Sequence, residues 1–287
     1  MTEIRSVLVA GLGTMGRGIA AAFARGGHST AILTRAPEKA TGVPEGVAVL
    51  GDLPAQAPDL IVETIVEEMA PKIAFNARVE AAYGGRPILV TNTSGLPVQE
   101  LADKLAHPER YAGLHYFQPA DVIPLVELAA IRQTDPAVME AVAAAVARCG
   151  QRALPLGQAL PGLLINRLQH AILHEAYYLI EKGVCTAAEI DIAAKEMLGP
   201  RMCITGLIEQ KDLSGLDTHA LAQAAIVPHL CHSATPSPVV QDKFRAGDLG
   251  VKTGRGFYDW RDRDVAAHQA KTRARLNRLL ALLAEKD

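Results

Sequence analysis

The stretch VLVAGLGTMGRG, residues 7–18, decides the fold of this chain. It begins with a short apolar run that is typical of a buried parallel strand, and the residues after its glycines have the apolar spacing of a helix. Gly11 suits the tight turn after the strand, Gly13 lets a pyrophosphate approach the backbone, and Gly16 allows the helix to pack closely on the strand. The helix N-terminus offers free N–H groups to the phosphates. The predicted cofactor contacts of this loop are Gly11, Gly13, Thr14, Met15 and Gly16.

Short apolar runs alternate with helical patterns through the first half of the chain. This alternation is typical of a doubly wound parallel sheet. The segment LPLGQALPG, residues 154–162, contains proline and glycine and is the expected boundary, since nearly all of the chain beyond it has a helical pattern. The sequence therefore predicts an α/β fold, with a Rossmann-type dinucleotide-binding domain at residues 1–157 and an all-helical substrate and dimerisation domain at 158–287. Predicted strands lie at 5–10, 30–33, 47–50, 60–63, 87–92, 111–117 and 125–130, and predicted helices at 14–26, 71–82, 136–148, 162–182, 186–198, 205–233 and 265–284.

Composition excludes several classes of partner. The 287 residues carry a formal net charge of −2 and no basic block, which argues against nucleic acid or an anionic membrane surface as a partner. No apolar run is long enough to span a membrane, and the first strand begins too early for a signal peptide. Four scattered cysteines without a C-x-x-C pair are typical of reduced thiols in a cytoplasmic protein. The cluster HLCH at 229–232 lacks a second ligand pair at zinc spacing, so no metal is expected.

The end of the second predicted strand bears on the choice of cofactor. In AILTRAPEKA, residues 31–40, Thr34 and Arg35 stand where an NAD-binding chain usually has an acidic residue. Such an acid accepts hydrogen bonds from the adenosine ribose and repels a 2′-phosphate. Arg35 attracts one instead, and unit charges about 4 Å apart interact by roughly 1–4 kcal/mol. With Lys39 as a second cation, the pattern predicts NADP(H); in the alternative, with NAD(H), Arg35 is a solvated loop residue.

Five later stretches occur in a fixed order along the chain. Together with the glycine loop they make it resemble the 3-hydroxyacyl-CoA dehydrogenases over nearly its whole length. The helical stretch NRLQHAILHEAYYLIEKG, residues 166–183, also resembles the gulonate dehydrogenase and λ-crystallin branch of that superfamily, whose substrates can be free acids. The five stretches are IVETIVEEMAPK (61–72), TNTSGLP (91–97), GLHYFQPADVIPLVEL (113–128), PGLLINRL (161–168) and GDLGVKTGRGFYDW (247–260).

The resemblance implies an active site between the two domains and assigns residues to it. His115 matches the catalytic histidine, Glu127 its paired carboxylate, and Ser94 and Asn166 the groups that hydrogen-bond the substrate oxygen. Glu67 and Lys72 match residues on the nicotinamide side, where Asn92 is also expected.

The chemistry of the residues agrees with this assignment. Oxidation of an alcohol needs a proton acceptor that works near neutral pH, which a histidine provides, and a carboxylate on the other ring nitrogen fixes the tautomer. His115 and Glu127 lie on neighbouring predicted strands that an antiparallel pairing would bring together. Each of these residues also has a structural interpretation when it is considered alone: His115 as a buried core histidine, Glu127 as a charge at a strand end and Asn166 as a helix cap. The occurrence of the whole ordered set favours the functional interpretation.

Three features depart from the family pattern. Gln118 stands where the family usually has asparagine. The connection from Arg35 to Pro58 is too short for the helical arm that helps to hold the CoA nucleotide in the family, which predicts weak CoA recognition. Arg201 stands in a region that differs from the usual GPF pattern and suits either a bidentate contact with a free carboxylate or a surface arginine.

The sequence thus predicts an NADP(H)-preferring oxidoreductase that interconverts a 3-hydroxy acid, or its thioester, with the 3-oxo form. The alternatives are an NAD-dependent 3-hydroxyacyl-CoA dehydrogenase, an imine or ketone reductase on the same scaffold, and a crystallin-like structural protein. The expected partner is a small molecule, and a second copy of the chain is expected to dimerise with it through the helical domain.

Overall fold

The computed structural model describes residues 3–285. The chain divides into two compact units, Met1–Arg167 and Leu168–Asp287. No helix within residues 3–285 is long and apolar enough to cross a membrane.

The first unit is built on an eight-stranded sheet with the strand order β3-β2-β1-β4-β5-β6-β7-β8. Strands β1 to β6 run parallel, β7 runs antiparallel to β6, and β8 runs parallel to β7. The predicted fold class is confirmed. The strands are β1 (Ser6–Ala10), β2 (Ser29–Leu33), β3 (Ala48–Leu50), β4 (Leu60–Glu63), β5 (Ile88–Thr91), β6 (Tyr111–His115), β7 (Leu125–Ala130) and β8 (Arg152–Leu156).

Both faces of this sheet are covered, which explains why the central strands β1, β4 and β5 are almost continuously apolar. Successive residues of a strand point to opposite faces, and in β1 Val7 and Val9 enter one apolar cluster whereas Leu8 and Ala10 enter another. The helices of this unit are α1 (Thr14–Arg25), α2 (Met69–Tyr83), α3 (Val98–Ala102) and α4 (Pro136–Arg148).

The connection between β2 and β4 is short. It contains a single 3-10 turn, Pro37–Lys39, and the three-residue strand β3. No longer helix interrupts this segment, all of which lies within the described residues.

Strand β8 is missing from the sequence-based prediction, which treats residues 154–162 as a connection. Pro155 favours a loop in this segment rather than a strand, because proline has no N–H to donate to a sheet. β8 is an edge strand that pairs only with β7, so the missing donor can face away from the sheet.

The remaining helices are mostly shorter than the sequence predicts. The predicted helix 186–198 consists of α6 (Ala187–Ala193) followed by a π-helical turn, Ala194–Leu198. The predicted helix 205–233 is divided at Gly215, which has φ +91°. Between Leu168 and residue 285 only Ala176 and Ser237 are buried. These helices are α5 (Ile165–Glu181), α6 (Ala187–Ala193), α7 (Gly199–Thr205), α8 (Glu209–Ser214), α9 (Leu216–Ile226), α10 (Pro238–Ala246) and α11 (Val265–Ala284).

Candidate active site

The glycine loop after β1 is closed by contacts that leave no room for side chains. Gly11 has φ +123°, and a Cβ atom there would lie 2.7 Å from the Thr64 carbonyl oxygen. A Cβ atom at Gly16 would lie 1.9 Å from the Gly11 carbonyl oxygen. These two glycines are therefore required by the fold of the loop itself.

Gly13 is different, because a Cβ atom there would meet no protein atom within 4 Å. Gly13 is also the N-cap of α1, and no side chain caps the free N–H groups of the first turn, which includes Thr14 and Met15. The open space at Gly13 and the uncapped helix N-terminus fit a pyrophosphate. The loop thus has the shape and the donors that a nicotinamide dinucleotide requires.

A cleft of about 620 Å³ extends from this loop along the carboxyl ends of the strands. Thr34 and Arg35 line it together with Gly51, Phe75 and Arg78. Lys39 is exposed in the 3-10 turn and is not among the residues of the described chain that line the cleft. Arg35 is exposed and forms no ion pair within residues 3–285.

Lys72 is held in a buried network at the end of β4. Its Nζ lies 2.6 Å from Glu63 Oε1 and 3.3 Å from Glu67 Oε2. Both Lys72 and Glu63 are almost completely buried, and Thr91 donates its hydroxyl hydrogen to Glu63 Oε2 at 2.7 Å. The buried Lys72 ammonium is thus paired with one buried carboxylate, Glu63, and with a second, Glu67, whose side chain is 44% exposed.

Glu67 joins this network to the loop after β5. Its Oε1 accepts hydrogen bonds from the Thr93 hydroxyl at 2.5 Å and from the backbone N–H of Ser94 at 2.7 Å. Burial raises the pKa of Glu67, but these hydrogen bonds and the charge of Lys72 outweigh it and leave the pKa lowered. An ionised Glu67 therefore fixes the backbone on which Ser94 is carried.

His115 and Glu127 lie opposite each other in the antiparallel pair of β6 and β7. His115 Nδ1 and Glu127 Oε2 are 2.8 Å apart, and both side chains are buried. The Phe117 ring lies edge-on to the imidazole, with 4.6 Å between the ring centroids. His115 Nε2 makes no hydrogen bond to any residue in the described part of the chain, 3–285.

The other oxygen of Glu127 is bound by backbone groups at the start of α5. Oε1 accepts hydrogen bonds from the N–H of Leu164 at 2.9 Å and of Ile165 at 2.8 Å. Burial raises the pKa of Glu127, but the hydrogen bonds from His115 and from these two amides outweigh it and leave the pKa lowered. A carboxylate at a helix N-terminus is also favoured by the helix dipole. Glu127 is therefore a charged acceptor held in one orientation.

Asn166 and Asn92 each form a hydrogen bond with a backbone group of a neighbouring segment. Asn166 Nδ2 lies 3.3 Å from the carbonyl oxygen of Ser94, which brings the second residue of α5 to the loop after β5. Asn92 Oδ1 accepts the backbone N–H of Tyr116 at 2.8 Å and so fixes the chain next to His115.

Comparison with known proteins agrees with this geometry. The family model of the 3-hydroxyacyl-CoA dehydrogenase NAD-binding domain matches residues 51–159, and the model of the C-terminal domain matches residues 162–260. The chain belongs to the 3-hydroxyacyl-CoA dehydrogenase family. It is a nicotinamide-dependent dehydrogenase, and the resemblance inferred from its motifs is confirmed.

Individual relatives of this dehydrogenase are named for different substrates. The 5-formyl-3-hydroxy-2-methylpyridine 4-carboxylate 5-dehydrogenase of Mesorhizobium japonicum is 27% identical, over 95% of this chain and 96% of the relative. A crystal structure of such an enzyme, described as an NAD⁺-dependent dismutase, has a TM-score of 0.92 at 25% identity and covers 99% of this chain and 100% of its own. The 3-hydroxyacyl-CoA dehydrogenase of Archaeoglobus fulgidus has a TM-score of 0.71 at 29% identity, with 98% of this chain and 100% of its own covered.

Most of the residues singled out in the sequence of this dehydrogenase meet in the first unit, around the two loops and the strand pair described above. Arg201 lies in the second unit, in α7, where it lines a separate pocket with Ile204 and Gln210. Sequence reasoning missed Glu63, whose signal is a charged residue that closes the apolar strand LIVE. It also missed Arg78, which only the folded helix α2 brings to the cleft. No group of three or more His, Cys, Asp or Glu side chains suited to a metal ion occurs in the described residues.

Proposed function

We propose that this chain is an NADP(H)-preferring dehydrogenase that interconverts a small 3-hydroxy acid, or its thioester, with the 3-oxo form. The observation that carries the proposal is the pair of His115 and Glu127, in which one imidazole nitrogen is bound by a buried carboxylate and the other has no protein partner within residues 3–285. This is the arrangement that a proton acceptor for an alcohol requires.

The lowered pKa of Glu127 supports a separate role for each ring nitrogen of His115. Because Glu127 is ionised, it accepts the hydrogen of Nδ1, so that Nε2 of the neutral ring is free to take a proton. In oxidation His115 Nε2 accepts the hydroxyl proton of the substrate, and Glu127 stabilises the resulting imidazolium. In reduction the same nitrogen returns the proton to the carbonyl oxygen.

The substrate oxygen needs donors besides His115. The Ser94 hydroxyl and the Asn166 amide are suited to this task, because the Asn166 amide lies next to the Ser94 backbone and Glu67 fixes that backbone from the other side. A nicotinamide cofactor, when bound at the glycine loop, supplies or accepts the hydride. The groups that would hold it are the first turn of α1, with Gly13, and the cleft lined by Thr34 and Arg35.

The preference for NADP(H) is supported by the charge at the adenosine end of the cleft. Arg35 lines the cleft two residues after β2, where an acidic residue would repel a 2′-phosphate. We expect the double substitution Thr34→Asp with Arg35→Ala to reverse the preference, so that kcat/KM becomes higher with NADH than with NADPH. The measurement is kcat/KM with both cofactors for both proteins, with Lys39→Ala as a control that removes a nearby charge outside the cleft. A wild-type kcat/KM that is already higher with NADH would contradict the preference.

A second candidate function is the oxidation or dismutation of an aldehyde on a small carboxylic acid. It is favoured by the likeness to the pyridine-carboxylate dehydrogenase, which has a TM-score of 0.92 against 0.71 for the Archaeoglobus enzyme. The short connection after β2 points the same way, since a small acid needs no arm for a CoA nucleotide. In that reaction water adds to the aldehyde, and His115 Nε2 would take a hydroxyl proton of the hydrate as the hydride leaves; in the reductive half of a dismutation it would return a proton to the oxygen of a second aldehyde.

A substrate screen separates these functions. Oxidation of NADPH is followed with 3-oxo acids, their CoA thioesters and cyclic imines. With aromatic aldehyde acids the reduction of NADP⁺ is followed, and the carboxylic acid and alcohol products are quantified, because a dismutation causes no net change in the cofactor. The proposal requires that a 3-oxo acid or its thioester give the highest kcat/KM. If an aromatic aldehyde acid gave the highest kcat/KM, the result would favour the second candidate. Turnover of cyclic imines alone would favour imine reduction.

The exposed apolar side chains of the second unit support a homodimer. Between Leu168 and residue 285 nearly every large apolar residue is at least partly exposed, including Ile204 at 77%, Leu221 at 76% and Ile208 at 73%. Monomers rarely leave so much apolar surface in water. Sedimentation velocity is expected to give twice the mass of the chain. A single species of monomer mass at micromolar concentration would contradict the dimer.

A further inference from the structure

A second arginine lies at the adenosine end of the cleft. Arg78 is carried by α2, lines the cleft together with Arg35, and has 48% of its side chain exposed. Its guanidinium pairs with the carboxylate of Asp52. Unlike Arg35, this arginine has no place in the sequence motifs of dinucleotide binding.

The topology of the sheet places the two arginines at the same edge. β2 and β3 are adjacent and parallel, and Leu33 at the end of β2 is in register with Leu50 at the end of β3. Arg35 and Asp52 each follow their strand by two residues. The pairing of Asp52 with Arg78 therefore brings the Arg78 guanidinium to the carboxyl end of β3. This end lies beside the carboxyl end of β2, which Arg35 follows.

Asp52 places a carboxylate at this edge, and that carboxylate already accepts hydrogen bonds from protein groups. Its Oδ1 accepts the N–H of Leu53 at 2.6 Å as well as a hydrogen of Arg78. The Leu53 amide and then the Arg78 guanidinium lower the pKa of Asp52, so the carboxylate is ionised at neutral pH. Two guanidinium groups and one carboxylate leave a net positive charge beside the cleft, which suits a dianionic phosphate better than a neutral ribose hydroxyl.

We propose that Arg78 is a specificity-determining residue that binds the 2′-phosphate of NADP(H) together with Arg35, and that Asp52 holds it in position for that contact. This inference rests on the proposed cofactor preference. A guanidinium has five N–H donors in a planar fork, so Arg78 can remain bound to Asp52 on one edge and donate to phosphate oxygens from another.

The test measures nucleotide binding in the absence of any turnover. Calorimetry gives the Kd of 2′,5′-ADP and of 5′-AMP, which differ only in the 2′-phosphate, for the wild type, Arg35→Met and Arg78→Met. Methionine keeps an apolar stem on the wall of the cleft and removes the charge. We expect Arg78→Met to weaken the binding of 2′,5′-ADP about tenfold, the value of one charge-assisted hydrogen bond, and to leave the Kd of 5′-AMP unchanged.

Two further variants sharpen the test. Asp52→Asn keeps an acceptor for the Leu53 amide but removes the charge that holds Arg78 in position, so it is expected to weaken 2′,5′-ADP relative to 5′-AMP, though by less than Arg78→Met does. Arg132→Met is the matched control, because it breaks another exposed pair of the same unit, with Asp103 at 3.4 Å, and Arg132 does not line the cleft. This control is expected to leave both Kd values unchanged.

The outcomes separate the inference from the proposal beneath it. If the wild type binds 5′-AMP as tightly as 2′,5′-ADP, the proposed preference for NADP(H) fails, and the role of Arg78 fails with it. If the wild type prefers 2′,5′-ADP and Arg78→Met keeps that preference, the role of Arg78 is overturned and the cofactor proposal stands. If Arg78→Met weakens the binding of both nucleotides equally, the proposed role of Arg78 is also overturned, because Arg78 would then contact a part that the two nucleotides share.

Discussion

Substitution of His115 by alanine is expected to lower kcat by roughly 10²–10⁴-fold, which is the usual contribution of a positioned acid–base group. The reason is that His115 Nε2 is the unpaired nitrogen of an imidazole whose Nδ1 is bound by Glu127 at 2.8 Å. Removal of the ring leaves no other group of this pair to take the substrate proton. The measurement is kcat in both directions, with the Kd of the cofactor determined separately and expected to stay unchanged.

Two variants guard this result against a merely structural effect. His115→Gln can still donate a hydrogen bond to Glu127, but it cannot act as a base, so it is expected to lose activity like the alanine variant while its unfolding midpoint stays near the wild-type value. His28→Gln is the matched control, because His28 is another buried histidine of the same unit and its Nε2 lies 3.3 Å from the Ala145 carbonyl oxygen. Near-full activity in both His115 variants would contradict the assignment.

Glu127 acts through His115, and its substitution should have a distinct signature. Glu127→Gln retains an oxygen that can accept the Leu164 and Ile165 amides, so the start of α5 is expected to remain in place. The fall in kcat is expected to be smaller than for His115→Ala. Because the negative charge that stabilises the imidazolium is lost, the acidic limb of the pH profile for oxidation should move to lower pH. A loss of activity with an unmoved profile would indicate a structural role alone.

Strand patterns and motif order predict the first unit well. Most of the apolar runs are short and close with glycine or a polar residue, and their alternation with helical patterns indicates the buried strands of one sheet. The separation of His115 and Glu127 across two such runs also predicts that the two side chains meet, and the structure pairs them in register. β8 could not be predicted in this way, because a proline within a short segment excludes a central strand but not an edge strand.

The contacts that sequence reasoning missed join distant parts of the chain through side chains. Glu63 binds Lys72 and Thr91 across two strands and a helix, and no local pattern distinguishes such a buried carboxylate from a strand-end charge. Arg78 reaches the cleft because it pairs with Asp52, 26 residues earlier in the chain. The face of α2 that carries Arg78 follows from how the helix packs on the sheet, which periodicity alone does not fix.

Free acids or short thioesters are expected to be used at least as well as CoA esters. In many CoA-binding sites the 3′-phosphate and the pyrophosphate are paired with cationic groups, and the family's helical arm after the second strand would provide part of that surface. Here residues 35–58 contain one 3-10 turn and one three-residue strand. Their charged residues are Arg35 and Lys39 against Glu38, Glu45 and Asp52, which leaves the segment slightly negative.

The size of this effect follows from the contacts that are missing. Two phosphate contacts of about 1.5 kcal/mol each correspond to roughly a hundredfold in affinity, so KM for acetoacetyl-CoA should show no advantage over KM for the N-acetylcysteamine thioester of the same acid. That thioester is the matched control, since it presents the same reacting carbonyl and the same sulfur without the nucleotide. A CoA ester preferred by about a hundredfold or more would mean that hydrogen-bond donors to its phosphates come from elsewhere, and the chain would then act as an ordinary 3-hydroxyacyl-CoA dehydrogenase. Without such a preference, selection must come from groups near the reacting carbon, and Ser94 and Asn166, joined at 3.3 Å, are the first to vary.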